Sequence, residues 1–456
     1  MKKNSSSSPS IGQAVYLVSL GCSKNLVDTE VIAGVLLTSG RTLAFDPDEA
    51  DLYIINTCAF IPAARSEAQS AIEEALEWKS EKPERIVVVA GCLTEWDKSG
   101  DYRKKYPEID LWTGVNDVDT IAALLDKQSA LANSEKPIWL YDHTTPRLLL
   151  TVPHMAYLKI ADGCDNCCSY CAIPGIRGAL RSRNIASVVA EAKNLVSAGV
   201  KELLIIAQDI TAFGTDRIAD GENIVDLLKE LDAIPGDFVI RLLYTHPAHY
   251  SDEFIDFMAR TDTKVLPYLD IPLQHINDRI LSAMGRKVTK SQTVELLKKL
   301  RKKIKDLTIR TTFITGFPGE TEEEFEELVE FMKTQNFERC GVFPYSPEPG
   351  TPAAKMPNQI PEQIAENRAK KLMTLQKKIM KKANRDWIGR EVCMLIDEVD
   401  GKVAIGRSMM DAPEIDNRIF LPNAKKIKVG NFCRVRITDA DSYEYIAEQV
   451  TALKST

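Results

Sequence analysis

The sequence predicts an α/β protein in three parts: an amino-terminal parallel α/β domain over residues 12–128, a central partial (β/α)6 barrel over 150–386, and a small all-β barrel over 387–456. Short apolar runs rich in β-forming residues alternate with helical segments through the first two parts, a pattern typical of parallel sheets. After Trp387 the pattern changes to closely spaced short strands. A length of 456 residues accommodates two to four domains.

Composition excludes several classes of protein. The sequence has no run of about 18 apolar residues that could span a membrane, and its serine-rich start has no apolar signal-peptide core. We therefore expect a cytoplasmic protein with no membrane partner. The net charge of -7 argues against a surface built throughout to bind nucleic acid. Ten cysteines in such a chain indicate metal ligation or catalysis before disulfide bonds.

In the amino-terminal part, each of three predicted strands is followed closely by a cysteine. The strands are 14–20, 52–57 and 86–90, the helices between them are 28–37 and 64–79, and the cysteines are Cys22, Cys58 and Cys92. Because the carboxyl ends of parallel strands line one edge of a sheet, the three thiols should meet there.

Any one of these cysteines could simply be buried and structural, since free cysteine is often a core residue. Three in the same topological position favour a three-thiolate metal site instead. Cys22 and Cys92 each follow a glycine, Gly21 and Gly91, which allows the backbone turns that a ligand loop needs.

A polar, irregular linker is predicted over 128–150, and a second βα series follows it. Six such units predict an open, partial parallel barrel with its active site at the carboxyl ends of the strands. The predicted strands are 156–161, 202–207, 238–244, 265–271, 309–315 and 339–345, and the predicted helices are 185–198, 222–234, 251–260, 290–305 and 321–335.

Polar residues follow all six of these strands. Any one of them could be a hydrogen-bonded core residue, but six on one rim indicate a site. They are Cys164, Gln208-Asp209, Thr245-His246, Gln274-His275, the segment Gly316-Phe317-Pro318-Gly319-Glu320, and Tyr345-Ser346-Pro347.

A lysine-rich helix over 362–386 trails the barrel, and its simplest interpretation is a solvated connection. Beyond it, strands are predicted at 391–398, 402–407, 418–421, 431–438 and 443–449. Five short strands in under about 70 residues predict a small barrel of the oligonucleotide-binding type.

The loop after the first barrel strand contains C-x3-C-x2-C, formed by Cys164, Cys168 and Cys171. Three thiolates can hold three irons of a four-iron, four-sulfur cluster and leave the fourth iron free for a substrate or cofactor. Zinc on four thiols is an alternative, but adjacent Cys167 and Cys168 would have difficulty reaching one tetrahedral ion. A redox C-x-x-C is another, although that motif is expected near a thioredoxin-like unit.

This motif on this loop resembles the signature of the radical S-adenosylmethionine enzymes, and the three-part arrangement resembles their methylthiotransferases. The resemblance extends from about residue 12 to the end. The matching segments are Ser19-Leu20-Gly21-Cys22-Ser23-Lys24-Asn25, Asn56-Thr57-Cys58, Gly91-Cys92, Ile160-Ala161-Asp162-Gly163-Cys164, Pro272-Leu273-Gln274-His275 and Thr315-Gly316-Phe317-Pro318-Gly319-Glu320-Thr321.

The resemblance implies two [4Fe-4S] clusters. One, on Cys164, Cys168 and Cys171, would bind S-adenosylmethionine through its amino and carboxyl groups and cleave it reductively to a 5′-deoxyadenosyl radical. No separate catalytic side chain is predicted, because the cofactors carry the hard chemistry and the protein supplies positioning and exclusion of water and oxygen.

The second implied cluster, on Cys22, Cys58 and Cys92, would carry the sulfur that another S-adenosylmethionine methylates before insertion. S-adenosylmethionine is then both radical source and methyl donor, and the reaction needs an external electron donor and a sulfur source. Relatives commonly have another residue, often arginine, where this chain has Cys167, whose role stays open. Predicted contacts to S-adenosylmethionine are Gln208, Asp209, Gln274, Arg310 and Glu320.

Two branches of the family differ in substrate: one modifies an adenosine of transfer RNA, the other an aspartate of a small-subunit ribosomal protein of the uS12 type near the decoding centre. Residues 390–456 carry 11 acidic and 10 basic side chains and few aromatics, unlike an RNA-binding barrel. An acidic barrel suits a basic ribosomal protein, and residues 406–416 resemble that branch. We therefore predict methylthiolation of the aspartate β-carbon.

Two alternatives stay open. The lysine run from Lys370 to Lys382 keeps the transfer-RNA enzyme in consideration. A catalytically inert ribosome-binding protein with a structural metal would explain the small barrel and some cysteines, but it would not explain a cysteine motif that leaves one iron open.

Overall fold

The computed structural model describes residues 13–127 and 139–450. These form two compact units. The first contains the chain up to Leu150 together with Lys159–Asp165 and Cys171–Glu191, and the second contains Thr151–Leu158, Asn166–Tyr170 and the chain from Ala192. Of the predicted linker, 139–150 has neither helix nor strand, and 128–138 lies outside the described residues.

The first unit contains a five-stranded parallel sheet in the order β2-β1-β3-β4-β5. The strands are β1 Ala14–Ser19, β2 Thr42–Leu43, β3 Leu52–Thr57, β4 Ile86–Gly91 and β5 Leu111–Thr113. The helices are α1 Ser23–Thr38, α2 Pro62–Glu81, α3 Cys92–Trp96, α4 Asp101–Lys105 and α5 Ile121–Lys127.

A second parallel sheet of six strands has the order β13-β12-β11-β10-β9-β6. The chain from residue 155 to residue 344 has eight strands, six of which form this sheet. They are β6 Met155–Lys159, β7 Ala161–Asp162, β8 Arg181–Ser182, β9 Glu202–Ile206, β10 Val239–Leu242, β11 Val265–Asp270, β12 Thr308–Thr315 and β13 Arg339–Pro344. Its helices are α6 Ile173–Arg177, α7 Ile185–Ser197, α8 Ile224–Asp232, α9 Asp252–Met258, α10 Asp278–Ala283, α11 Lys290–Lys303, α12 Glu322–Gln335 and α13 Glu362–Arg385.

The carboxyl-terminal strands close into a barrel in the order β14-β15-β16-β18-β17, as predicted. Its one parallel pair is β16 with β18. The strands are β14 Glu391–Asp400, β15 Val403–Ser408, β16 Arg418–Leu421, β17 Phe432–Ala440 and β18 Glu444–Gln449.

The predicted strands agree with these strands to within two residues at each end. Central strands of parallel sheets are buried on both faces, so they form the continuous apolar runs by which they were found; every residue of β3 is buried. The sequence analysis missed β2, β5 and β8, because strands of two or three residues are too short to form such a run. Helix α1 begins at Ser23, five residues earlier than predicted.

Buried ion pairs join the six-stranded sheet to the closed barrel inside the second unit. Glu202 of β9 pairs with Arg241 of β10 at 2.6 Å and with Arg407 of β15 at 2.6 Å. Arg339 of β13 pairs with Asp411 at 2.5 Å. Because these side chains are almost fully buried, losing one partner leaves a charge in the interior without compensation.

In the described ranges, no helix is long and apolar enough to cross a membrane.

We expect Glu202→Ala to lower the free energy of unfolding of the second unit by about 3–5 kcal/mol, because it leaves two buried arginines unpaired. Glu253→Ala removes the exposed partner of Lys229 and should have a much smaller effect, because water already solvates both charges. Denaturant unfolding followed by circular dichroism measures both effects. Equal effects of the two substitutions would contradict this account of the barrel contact.

Candidate functional site

The three amino-terminal cysteines lie at the carboxyl edge of the five-stranded sheet. Cys22 precedes α1, Cys58 directly follows β3, and Cys92 is the first residue of α3. A Cβ built on Gly21 would lie 2.5 Å from the Cβ of Cys58 and 2.8 Å from its Sγ, so the loop after β1 passes directly against that thiol. Cys22 and Cys58 also lie close enough to Cys92 to interact with it electrostatically.

Glycine is required at two positions in these loops. Gly21 has φ +87° and Gly91 has φ +90°, both in the left-handed region that favours glycine. A Cβ on Gly91 would lie 2.2 Å from Oδ1 of Asn56. Any other residue would therefore push Cys22 or Cys92 out of its present position.

The thiols influence each other's ionisation. Burial, together with the nearby Cys22 and Cys58, raises the pKa of Cys92 to about 12. Burial also raises the pKa of Cys58. At Cys22, burial of the sulfur is outweighed by Lys24, Arg177 and two backbone amides, so the pKa is lowered, although part of the side chain is exposed. Two of the three sulfurs are therefore thiols as they stand, and the positive charge of a bound metal is what would favour the thiolate form of all three.

A buried arginine supplies part of that positive charge. Nη2 of Arg177 lies 3.4 Å from Sγ of Cys92 and donates to Oδ2 of Asp28 at 2.8 Å. Its Nη1 donates to Oδ2 of Asp162 at 3.0 Å. Burial opposes the charge, but the acidic partners and thiols outweigh it and raise the pKa of Arg177, which stays protonated.

Lys159 completes the buried network around Arg177. Its ammonium group lies 2.5 Å from Oδ1 of Asp28 and 3.2 Å from Oδ2 of Asp162. The two cations and two carboxylates compensate each other. The network also connects the thiol site to the strand β7, where Asp162 lies two residues before Cys164.

The C-x3-C-x2-C motif lies on the irregular loop between β7 and α6. Cys164, Cys168 and Cys171 are partly buried, whereas Cys167 is exposed. The backbone N–H of Cys164 donates to the carbonyl of Gly178 at 3.1 Å. Cys167 thus differs in exposure from the three cysteines of the motif.

A second buried arginine contacts a cysteine of this loop. Nη1 of Arg286 lies 3.7 Å from Sγ of Cys168, and its Nη2 donates to the carbonyl of Pro272. The next residue of the loop, Ser169, is fixed by its hydroxyl, which donates to the carbonyl of Ala283 at 2.7 Å. These contacts hold Cys168 at the carboxyl-terminal end of α10.

Asp209 is the centre of a polar network at the end of β9. Its Oδ2 accepts from Asn166 at 2.8 Å and lies 2.8 Å from Nδ1 of His249, while its Oδ1 accepts from the backbone N–H of Thr211 at 3.0 Å. Burial would raise the pKa of Asp209, but His249 and Thr211 lower it overall. The carboxylate is therefore ionised, and it lies beside the cysteine loop through Asn166.

Asp209, His246 and His249 place their potential ligand atoms within 4.8 Å of one another, as a metal site would. Nδ1 of His246, however, accepts the backbone N–H of Ala248 at 3.2 Å, which places the proton of a neutral imidazole on Nε2. Burial and then Arg286 lower the pKa of His246 to about 3, so the ring is neutral. This arrangement favours a hydrogen-bonded network over a metal site.

The remaining predicted cofactor contacts fall into two groups. Gln208 is half-buried at the end of β9, and Gln274 has φ +69° and a buried Oε1 that accepts no hydrogen bond within the described residues. Arg310 is the third residue of β12, and it pairs with Asp270 at 2.9 Å. Of Gln274 and Arg310, the glutamine thus keeps a buried acceptor atom available, whereas the guanidinium is engaged in an ion pair.

Glu320 follows β12 and is also engaged internally. Its Oε1 lies 2.6 Å from Nη1 of Arg368, and its Oε2 accepts the backbone N–H of Gly316 at 3.0 Å. His275 lies 3.5 Å from the same Oε2. The carboxylate therefore orders the loop after β12.

Sequence reasoning missed Arg177, Arg286, Asn166 and His249. A cluster of thiolates requires some compensating cation, which the cysteine pattern could have indicated. Nothing in the spacing distinguishes these two arginines from the chain's others, because their proximity to sulfur is created by tertiary packing.

Three family profiles match the chain in order. "Uncharacterized protein family UPF0004" matches residues 14–114, "Radical SAM superfamily" matches 158–332, and "TRAM domain" matches 388–450. The first range contains the three amino-terminal cysteines, and the second contains the C-x3-C-x2-C loop and strands β9 to β12 of the six-stranded sheet. The third contains the closed barrel.

Solved structures with a similar fold are radical S-adenosylmethionine enzymes. The methyltransferase TsrM from Kitasatospora setae, with cobalamin and a [4Fe-4S] cluster bound, has a TM-score of 0.53 at 16% identity, over 75% of this chain and 74% of that one. The cobalamin-dependent enzyme OxsB has a TM-score of 0.52 at 12% identity, over 80% of this chain and 56% of that one. At these identities the similarity concerns the fold alone.

Curated relatives match almost the entire chain. The ribosomal protein uS12 methylthiotransferase RimO of Syntrophotalea carbinolica is 43% identical over 96% of each chain, and that of Desulforamulus reducens is 43% identical over 96% of this chain and 99% of its own. With this identity over the full length, and the three domain matches in order, the chain belongs to the RimO family of radical S-adenosylmethionine methylthiotransferases.

Proposed function

We propose that this chain adds a methylthio group to the β-carbon of an aspartate in ribosomal protein uS12. Its RimO relatives carry that substrate in their names. The observation that carries the proposal is the meeting of three thiols at the edge of the first sheet, in a chain that also has the C-x3-C-x2-C loop. An enzyme that only generated a radical would need the loop alone.

The chemistry of the residues present fits two iron–sulfur clusters. We assign one to Cys164, Cys168 and Cys171, and a second to Cys22, Cys58 and Cys92. Three neighbouring cysteine sulfurs beside a buried arginine that stays charged form a donor set suited to a thiolate-bound metal centre. When bound, these groups supply the electron for cleavage of S-adenosylmethionine and the sulfur that is transferred.

The protein's own contribution at the strand ends is to bind and orient S-adenosylmethionine. Gln208, Asp209 and Gln274 offer acceptors suited to its amino group. Arg310 and Glu320 remain predicted contacts, but their internal ion pairs favour a positioning role, in which they fix Asp270 and the loop after β12.

The closed barrel supports a basic protein as substrate. Its exposed surface carries both charges: Arg434 and Arg436 pair with Glu391, and Arg390, Lys402, Arg418, Lys425, Lys426 and Lys428 are exposed as well. Several carboxylates are exposed too, and these are the groups that would contact a basic partner. They are Glu398, Asp400, Glu414, Asp439, Asp441 and Glu444.

The transfer-RNA alternative depends on helix α13. Lys370, Lys377, Lys378 and Lys382 are exposed on it, and this basic face could contact phosphates. It could equally contact ribosomal RNA near a ribosomal protein, so it does not favour one substrate over the other.

We further propose that turnover requires an external electron donor and a sulfur source.

Deletion of the gene should remove a methylthio mass increment from one aspartate-containing peptide of uS12 and leave the nucleosides of transfer RNA unchanged. Peptide mass spectrometry and nucleoside analysis of the same cultures check this expectation. Complementation with the wild-type gene should restore the peptide mass. Loss of methylthioadenosine with unchanged uS12 would show that the substrate is transfer RNA and not uS12.

Two cysteine substitutions should separate the two sites. Cys168→Ala should abolish formation of 5′-deoxyadenosine, because the loop loses a cluster ligand. Cys58→Ala should keep that cleavage but stop methylthiolation of a uS12 peptide. Anaerobic reconstitution followed by liquid chromatography and mass spectrometry measures both products.

Two further variants serve as controls for these substitutions. Cys167→Ala removes the exposed neighbour of Cys168 and should keep both products, as should Cys393→Ser on β14. Normal methylthiolation by Cys58→Ala would refute the second-cluster assignment. Loss of S-adenosylmethionine cleavage in Cys167→Ala would indicate that Cys167 is a cluster ligand.

A further inference from the structure

Each of the two cysteine sites has its own buried arginine in contact with one thiol. Nη2 of Arg177 lies 3.4 Å from Sγ of Cys92 in the first unit, and Nη1 of Arg286 lies 3.7 Å from Sγ of Cys168 in the second. Both arginines are only 3% exposed. Burying a charge is costly unless it is paired and hydrogen-bonded, and for each arginine a cysteine sulfur is one of the few partners it contacts.

An N–H donor and a positive charge beside a cluster ligand stabilise the reduced cluster, which carries one more negative charge than the oxidised one. Hydrogen bonds to sulfur, net charge and solvent exposure are the protein's means of setting the potential of an iron–sulfur cluster. A low local dielectric strengthens the effect, because few water molecules screen a fully buried guanidinium.

We propose that Arg177 and Arg286 raise the reduction potentials of the two clusters independently, Arg177 acting on the cluster at Cys22, Cys58 and Cys92, and Arg286 on the cluster at Cys164, Cys168 and Cys171. This inference rests on the proposed function, since it assumes both clusters. It assigns the arginines as positioning and electrostatic residues that act through the cysteine sulfurs.

The environment of Arg177 makes the sign of its effect definite. Asp28 and Asp162 offset its charge together with that of Lys159, so the four side chains are neutral as a set. Removing the guanidinium charge leaves this set with one net negative charge next to Cys92. The reduced cluster would then be disfavoured and the potential would fall.

Arg286 has a simpler environment. Its Nη2 donates to the carbonyl of Pro272, a neutral acceptor, and its Nε donates no hydrogen bond within the described residues. In the part of the chain that the structure describes, it forms no ion pair within 4.0 Å, and Tyr170, Cys168 and Asp209 are the groups that interact with its charge. Its removal should likewise lower the potential, here of the barrel cluster.

The test measures each cluster alone in the full-length protein. A background with Cys164, Cys168 and Cys171 changed to alanine keeps the second cluster, and a background with Cys22, Cys58 and Cys92 changed to alanine keeps the barrel cluster. Arg177→Gln, Arg177→Lys, Arg286→Gln and Arg286→Lys are placed in both. Anaerobic dithionite titration followed by electron paramagnetic resonance gives the midpoint potential, and iron analysis gives cluster content.

We expect Arg177→Gln to lower the midpoint potential of the second cluster only, and Arg286→Gln to lower that of the barrel cluster only. The lysine variants keep the charge but lose the planar fork, so their shifts should be smaller. Each arginine is the control for the other. Arg41→Gln, which removes a buried arginine that pairs with Asp126 at 2.6 Å, should move neither potential.

The outcomes separate this inference from the proposed function. A cluster that is present but keeps its potential when its own arginine is changed overturns the inference alone. Equal shifts of one cluster by both arginines overturn their independence. Absence of iron from the background that keeps Cys22, Cys58 and Cys92 overturns the second-cluster assignment, and the role of Arg177 with it.

Discussion

Parallel strands end at a common edge, and this constraint determines the chemistry of both sheets. In the first sheet it brings together Cys22, Cys58 and Cys92, although the first and last are 70 residues apart in the sequence. In the second sheet it places Asp209 and its histidine partners at the end of β9 and β10. The strands themselves contribute hydrophobic burial, and the segments that follow them contribute all six cysteines of the two proposed sites.

Cysteine thiolates that lie close together repel each other, and the surrounding residues offset this repulsion. Burial raises the pKa of Cys92, and the permanent charge of Arg177 opposes that effect. The guanidinium is itself stabilised by Asp28 and Asp162. Each buried ion of this site therefore has a partner of opposite sign, and the guanidinium also contacts the sulfur of Cys92.

The closed barrel is integrated with the six-stranded sheet by buried ion pairs rather than by apolar contact alone. Glu202 holds Arg241 and Arg407 together, and Arg339 holds Asp411. Asp411 belongs to the segment 406–416, which the sequence analysis singled out only by its resemblance to the ribosomal-protein branch. Part of that segment thus has a structural explanation, since it carries the partner of a buried arginine on β13.

The sequence by itself determined the order of the elements, the parallel sheets, the closed barrel and the meeting of three cysteines, because buried strands form apolar runs and strand ends share an edge. It did not find β2 and β5, whose pairing is decided by their neighbours. Only the tertiary structure decided that Arg177 and Arg286 contact sulfur and that Glu320 pairs with Arg368. Long charged side chains have no periodic signature, and their partners are chosen by packing between segments far apart in the sequence.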